Sequence, residues 1–146
     1  MNRSVLRRVL VPVLVAGALI GVSAPDAFAT AERCDYAGSG HHFATCLNVV
    51  GQGVHVGGIG PGVVLDPGES KYGHHEVWGD QGARLHINTP ARSWVNPRRW
   101  RATEVWGEGI PINRNFPDGS RICSSFWEHA PGGPVRRGIA CVTVVR

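Results

Sequence analysis

The sequence has no segment of helical length in which apolar residues recur at spacings of three and four, so long helices are excluded. Instead, 20 glycines and 10 prolines interrupt the chain every few residues. The segments between these breaks alternate in polarity or are rich in β-branched and aromatic residues. This pattern predicts an all-β fold, either an antiparallel β-sandwich or a small barrel. The predicted strands are Leu47–Val50, Val54–Val56, Val63–Leu65, His75–Trp78, Ala83–Ile87, Arg99–Trp106, Ile110–Asn113, Arg121–Trp127 and Ile139–Val145.

Motifs that specify a reaction or a metal are also absent. The chain has no G-x-S-x-G elbow of a serine hydrolase and no C-x-x-C spacing of a zinc site. Its seven histidines include the neighbours His41-His42 and His74-His75. Adjacent residues of a strand point to opposite faces, so neither pair can chelate one ion from an extended strand. We therefore predict no catalytic residue, no metal and no cofactor.

Residues 1–29 are organised as a secretory signal peptide. A start with three arginines is followed by an uncharged apolar stretch, Val9–Val22, and by Ala27-Phe28-Ala29, which fits the small-x-small site of a signal peptidase. A transmembrane helix needs about 20 apolar residues, and this stretch is shorter. We predict removal of residues 1–29 and secretion of residues 30–146 as a single extracellular domain with no membrane partner.

The cysteines predict a disulfide framework. All four lie in residues 30–146, and an even number in a short exported chain indicates bridges. The strand-like segments around Cys123 and Cys141 flank the turn-like Ala130–Pro134. Folding the chain at this turn places the two cysteines opposite each other, close enough for a bridge at a non-hydrogen-bonded site. This predicts a Cys123–Cys141 bridge and leaves Cys34 to pair with Cys46.

The residue pattern also predicts burial. In Ala83–Ile87 the odd positions are apolar, so Arg84 and His86 should face outward. The last predicted strand is apolar on both faces, which indicates a central position in a sheet. The glycine-rich Gly51–Gly62 is interpreted as a structural loop, with a bulged strand or the close approach of another chain as alternatives. We expect Thr30–Arg33 to be a short mobile tail.

The densest candidate for recognition is the segment from residue 92 to residue 101. Arginine donates paired hydrogen bonds to carboxylates and phosphates, and tryptophan offers a flat surface to a sugar, a base or a partner side chain. Pro97 indicates a turn between two strands, at the end of a sheet. The alternative is that the tryptophans anchor the core and the arginines solvate its edges. The binding hypothesis requires both tryptophans to be exposed. The predicted binding residues are Arg92, Trp94, Arg98, Arg99, Trp100 and Arg101.

A secreted hydrolase, such as a ribonuclease, is the alternative function. It requires a histidine and a carboxylate within hydrogen-bond reach in a concave site, beside arginines that bind phosphate. The candidate residues are Glu76, Glu104, Glu108, Glu128, His75, His86 and His129. A protease inhibitor is a further alternative, and it would need an exposed extended loop braced by a disulfide.

The spacing of several short segments carries a family resemblance. These segments are Cys46-Leu47-Asn48-Val49, Asn88-Thr89-Pro90 with Trp94, Phe116-Pro117-Asp118-Gly119, Cys123–Glu128, Gly132-Gly133 and Cys141–Val144. The chain resembles a family of small secreted actinobacterial β-rich proteins to which no catalytic residues are assigned. In size, export signal and cysteine framework it is also similar to the small adaptor subunit of umbrella-type secreted antibacterial toxin particles. The latter resemblance implies an adaptor that joins other subunits by main-chain strand addition.

These observations together predict a secreted, non-enzymatic binding protein. The formal net charge of +4 falls to +2 in residues 30–146, which hold 12 basic and 10 acidic residues. This charge is mild, and no nucleic acid is expected as a partner because such partners usually require a denser positive field. The expected partner is an extracellular protein or glycan surface.

Overall fold

The computed structural model describes residues 30–36 and 43–146 of the chain. The predicted signal peptide and the His41-His42 pair lie outside these residues. Nothing helical in the described ranges is long and apolar enough to cross a membrane. The strands of the described residues are β1 (Ala31–Tyr36), β2 (Ala44–Gln52), β3 (His55–Leu65), β4 (Ser70–Asp80), β5 (His86–Asn88), β6 (Arg92–Val95), β7 (Thr103–Trp106), β8 (Ile110–Asn115), β9 (Arg121–Ala130) and β10 (Gly133–Thr143).

These strands form two antiparallel sheets, which confirms the predicted all-β fold. The first sheet has the order β1-β2-β3-β7, and β8 also pairs with β3. The second sheet has the order β10-β9-β4-β5, and β6 also pairs with β4. The described strands do not close into a barrel, so the β-sandwich is the observed one of the two predicted architectures.

Each sheet has one edge that is divided into two short strands. β7 and β8 pair with successive parts of β3 and are separated by residues 107–109. β5 and β6 pair with successive parts of β4 and are separated by residues 89–91. Side chains from both interrupted edges line one cleft, so these edges lie on the same side of the sandwich. On the opposite side β1 meets β10, where the Ile139 amide donates to the Asp35 carboxylate over 3.1 Å.

Alternating side chains from both sheets fill the space between them, as a sandwich requires. The largest buried side chains include Leu47, Ile59, Ile122 and Phe126. Burying each of these aliphatic or aromatic groups contributes about 1.5–3 kcal/mol. The predicted polarity of Ala83–Ile87 is confirmed, because Ala83 is buried while Arg84 and His86 are exposed, but the strand there, β5, begins only at His86.

Both predicted disulfides are present. Cys34 pairs with Cys46 across β1 and β2, and Cys123 pairs with Cys141 across β9 and β10. The Cα atoms of each pair are 4.0 Å apart, as expected for residues directly opposed at a narrow position of an antiparallel ladder. Each bridge closes a short loop and contributes about 3 kcal/mol through the lost entropy of the unfolded chain.

Three predictions about individual segments are wrong. Gly51–Gly62 is not a loop: after a turn at Gly53, which has a φ of 54°, most of it forms β3, and shifts in the pairing register make the bulged strand the observed one of the alternatives. Thr30–Arg33 is not a free tail, since β1 begins at Ala31 and pairs with β2. The last strand is not central, because β10 pairs only with β9 among the described strands. Its outward Ile139 stays 41% exposed, so an apolar side chain there does not indicate a second covering layer.

Candidate functional site

The structure divides the predicted binding segment into two parts. Its first part is β6, which pairs with β4 in the second sheet. Trp94 faces the core there and is only 2% exposed, so the prediction that it is exposed is wrong. The pairing of β6 with β4 turns Trp94 toward the core. There the indole packs edge-on against His75 at 4.9 Å and donates a hydrogen bond to the Gly73 carbonyl over 3.2 Å.

Arg92 lies two residues before Trp94 and therefore on the same face of β6. Its guanidinium carbon sits 4.0 Å above the centre of the indole of Trp94, in cation–π geometry. One of its nitrogens is 3.3 Å from the carbonyl oxygen of Trp106 in the first sheet. Arg92 is therefore held between the two sheets and does not join the other predicted arginines.

The second part, residues 96–102, crosses from the second sheet to the first, and we call it the tip loop. Asn96 fixes it from within, being 1% exposed. The side-chain nitrogen of Asn96, Nδ2, lies 3.0 Å from the backbone carbonyl oxygens of Leu65, Asp66 and Arg101. Its side-chain oxygen accepts from the Arg98 amide over 2.9 Å. These bonds replace strand pairing here, which explains why the predicted strand Arg99–Trp106 begins only at Thr103.

The tip loop presents the remaining predicted binding residues to solvent. Trp100 is 78% exposed, and the arginines on either side of it, Arg99 and Arg101, are also exposed. Arg98 is half-buried. A large aromatic side chain with most of its surface in water, on a loop held by buried hydrogen bonds, has the composition and rigidity of an interaction anchor.

A groove of about 460 Å³ lies beside the tip loop on the outer face of the first sheet. We call it the tip groove. Trp106 packs flat over Gly62, where an added Cβ would come within 2.5 Å of the indole. Tyr36 is 62% exposed at the end of β1. The residues that line the groove are Tyr36, Val64, Arg98, Arg101, Ala102, Thr103, Glu104 and Trp106.

Sequence reasoning missed Tyr36 and Trp106. Two signals could have found them. Tyr36 lies two residues after Cys34 and so shares its face of β1, and the predicted disulfide places that face on the same side of the sheet as Cys46. Trp106 pairs with Gly62, and an aromatic ring opposite a strand glycine fills the space that the missing side chain leaves.

One histidine–carboxylate pair of the hydrolase hypothesis meets on the outer face of the second sheet. Nε2 of His86 lies 3.0 Å from Glu76, and the Trp127 indole donates to the same carboxylate over 2.9 Å. The hydrogen bond from His86, and then that from Trp127, lowers the pKa of Glu76. A carboxylate with a lowered pKa is a poor general base near neutral pH. Neither member of the pair lines the tip groove.

Three other candidates of that hypothesis, Glu128, His75 and His129, have partners elsewhere, whereas the exposed Glu104 lines the tip groove and the exposed Glu108 lines a different cleft. Glu128 forms ion pairs with Lys71 at 3.0 Å and with Arg137 at 2.9 Å. His75 is fully buried and contacts Ser124 at 3.0 Å. On the outer face, Nε2 of His129 lies 2.8 Å from Nδ1 of His74, and burial followed by this neighbour lowers the pKa of His74. The hydrolase function stays an untested alternative.

A potential metal cluster forms at the outer face of the first sheet. Potential ligand atoms of Glu32, Cys34 and Glu104 lie within 4.8 Å of one another. The sulfur of Cys34 is bonded to Cys46, so it offers no thiolate to a metal. Two exposed carboxylates remain, which is too few ligands for a structural site.

Comparisons with protein-family models, with curated proteins and with solved structures gave no significant match. The functional argument therefore rests on the geometry of the chain itself.

Proposed function

We propose that this protein is an exported, non-enzymatic interaction protein that docks an extracellular partner through the tip loop and the tip groove. The observation that carries the proposal is the 78% exposure of Trp100 on a loop fixed by the buried Asn96. The two disulfides are compatible with an oxidising extracellular compartment.

The energetic argument begins with the indole. A tryptophan side chain buries about 200 Å² in an interface, which corresponds to roughly 4 kcal/mol when most of it leaves water. Because Asn96 already holds the loop backbone, little conformational entropy is lost on binding. Trp100 is therefore expected to be the main anchor of the interface.

The surroundings of Trp100 indicate the chemistry of the partner. Arg99 and Arg101 flank the indole, and arginine pairs with carboxylates in bidentate geometry. Tyr36 and Trp106 add aromatic surface in the neighbouring groove. Tryptophan, tyrosine and arginine are the residues most enriched at protein–protein hot spots. We therefore infer an acidic protein surface as the partner, in keeping with an adaptor role in an extracellular assembly.

Capture from culture medium tests this function. Tagged residues 30–146 are incubated with supernatant of the producing organism, and bound proteins are identified by mass spectrometry. Trp100→Ala is compared with Tyr72→Ala, which removes an aromatic that is 51% exposed on the other sheet. We expect both the unchanged domain and Tyr72→Ala to capture the same acidic protein, and Trp100→Ala to bind it at least about thirtyfold more weakly.

Two results would contradict the proposal. If Trp100→Ala captured the partner as well as Tyr72→Ala does, the tip loop would not be the docking site. If the recovered material consisted of glycans alone, the inferred class of partner would be wrong.

A further inference from the structure

A second concave site lies between the two interrupted edges of the sandwich. Residues 89–91 interrupt the edge of the second sheet, and residues 107–109 interrupt the edge of the first. The gaps face each other across a cleft of about 340 Å³, which we call the edge cleft. This volume lies at the small end of the range for ligand pockets.

The walls of the edge cleft are largely apolar, and one cation is fixed inside it. Ile87 and Pro90 line one side, while Ile110 and Pro111 line the other. Arg92 lies against the floor, where its guanidinium stacks on Trp94 at 4.0 Å. Apolar walls with a single oriented charged group are the usual composition of a site for a small ligand.

The hydrogen-bonding capacity of Arg92 is mostly unused. Its guanidinium has five N–H donors, and its one hydrogen bond within the described residues is the 3.3 Å contact to the Trp106 carbonyl. No ion pair joins it to a carboxylate of the described chain. A half-buried guanidinium without a counter-ion is unfavourable, and an external anion would compensate it.

Gly107 leaves the space in which this arginine lies. A Cβ at position 107 would come within 3.0 Å of the Trp94 ring and 3.5 Å of an Arg92 nitrogen. The backbone of Gly107 is itself fixed, because its amide donates to the Pro61 carbonyl over 2.8 Å. A backbone hydrogen bond therefore fixes the wall of the cleft at Gly107.

We propose that the edge cleft binds a carboxylate attached to a small apolar group. The carboxylate would accept hydrogen bonds from the unused N–H groups of the Arg92 guanidinium. The apolar group would lie between the two walls that contain Pro90 and Pro111. A free organic acid and the carboxylate of a peptide share this chemistry. The site does not depend on the tip loop.

Glu108 allows a test based on the direction in which the affinity for carboxylates changes. Its exposed carboxylate lines the same cleft without reaching the guanidinium. It therefore opposes an incoming anion, and Glu108→Gln should strengthen carboxylate binding severalfold. Unchanged or weaker carboxylate binding by Glu108→Gln would show that the anion does not lie in this cleft.

Titration by NMR tests the proposal on ¹⁵N-labelled residues 30–146. The indole N–H signal of Trp94, which lies under the guanidinium, is followed as benzoate is added. Benzamide, of similar shape but uncharged, is the matched ligand control. We expect benzoate to bind on the order of ten- to a hundredfold more tightly than benzamide, the range for hydrogen bonds to a charged group. Equal binding of the two would overturn the proposal.

Two protein variants check the assignment to Arg92. Arg92→Met keeps an unbranched chain over Trp94 but removes the charge, and it should lose the preference for benzoate over benzamide. Tyr72→Ala, on the outer face of the second sheet, should keep that preference. An Arg92→Met variant that still prefers benzoate would contradict the proposal, and Glu108→Gln supplies an independent result if Arg92→Met does not fold.

The source of the carboxylate is distinguished by two further probes. One is a blocked dipeptide that ends in leucine, with its C-terminal carboxylate free or amidated, and the other is a blocked glutamate amide. Tighter binding of the free dipeptide than of benzoate assigns the site to a peptide terminus, and tighter binding of the glutamate assigns it to an acidic side chain. Benzoate as the tightest ligand assigns it to a small acid. Because no tip-loop partner is present, these results do not depend on the proposed function.

Discussion

Acidification should destabilise this domain chiefly through the buried His75, with a smaller contribution of the same sign from His74, whose pKa is also lowered. His75 is fully enclosed, with its ring 4.9 Å from that of Trp94 and 5.3 Å from that of Phe126. Its Nδ1 lies 3.0 Å from the Ser124 hydroxyl, whereas Nε2 has no hydrogen-bond partner among the residues that the structure describes. Burial, together with the positive charges of His74 and Arg92, lowers the pKa of His75 from 6.5 to about 3. The folded protein therefore requires a neutral imidazole.

The sign and size of the effect follow from proton linkage. Between the folded pKa of about 3 and the unfolded value of 6.5, the unfolded chain binds more protons. The stability associated with neutral His75 is therefore complete above pH 6.5 and is lost as the pH falls toward 3. At 1.36 kcal/mol for each pKa unit, the loss reaches roughly 5 kcal/mol at pH 3, and roughly 2 kcal/mol between pH 7 and pH 5.

Denaturant unfolding at pH 7 and pH 5 measures this loss. The interval lies above the range in which Glu76 and Glu128, whose pKa values are lowered, lose their stabilising charge. His75→Asn removes the titrating ring and should abolish about 2 kcal/mol of the pH dependence, whatever its effect at pH 7. His55→Asn, at an exposed histidine, should keep that dependence. The reasoning fails if the unchanged domain and His75→Asn lose equal stability between the two pH values.

Two further variants test the construction of the tip loop and the tip groove. Asn96→Ala leaves backbone carbonyls without their donor, so the free energy of unfolding should fall by about 3 kcal/mol. Partner capture should weaken as well although Trp100 is intact, and unimpaired capture would show that the loop needs no such support. Gly62→Ala should displace the Trp106 ring and cost about 1–3 kcal/mol, measured by denaturant unfolding. Gly60→Ala, whose new Cβ would lie 3.9 Å from its nearest neighbour, should cost less, and equal losses would contradict the packing argument.

The features of the fold that could be predicted are those that depend on short stretches of sequence, namely the strands and the turns between them. Alternating polarity and turn residues identified most strands, and the turn at residues 131–132 brought Cys123 near Cys141. A bulge in β10 between Arg137 and Ala140 then shifts the register by one residue and places the two cysteines directly opposite each other. Alternating polarity and turn residues both act over a few neighbouring residues. The order of the strands in the sheets depends on contacts between distant segments, and no local pattern encodes it.

The wrong predictions concern segments whose surroundings are set by residues far away in the sequence. Gly51–Gly62 looks like a loop because glycine has a low strand propensity. In the fold, Gly62 lies in β3 because the Trp106 ring covers it from β7. The outward face of β10 likewise looks buried because it is apolar. In the fold it belongs to an edge strand, where Cys141 is bonded to Cys123 and Ile139 is exposed.

The division of the arginine–tryptophan segment follows from strand periodicity. Arg92 and Trp94 are two residues apart in β6, so burial of Trp94 carries Arg92 toward the interior with it. At Asn96 the chain leaves the sheet, and the following residues are oriented by the hydrogen bonds of one amide instead of by a strand. Residues that are close together in the sequence thus contribute to two separate sites. Trp100 is exposed on the tip loop, and Arg92 is enclosed in the edge cleft. Since the buried Asn96 separates them, a ligand in the edge cleft should leave docking at the tip loop unchanged.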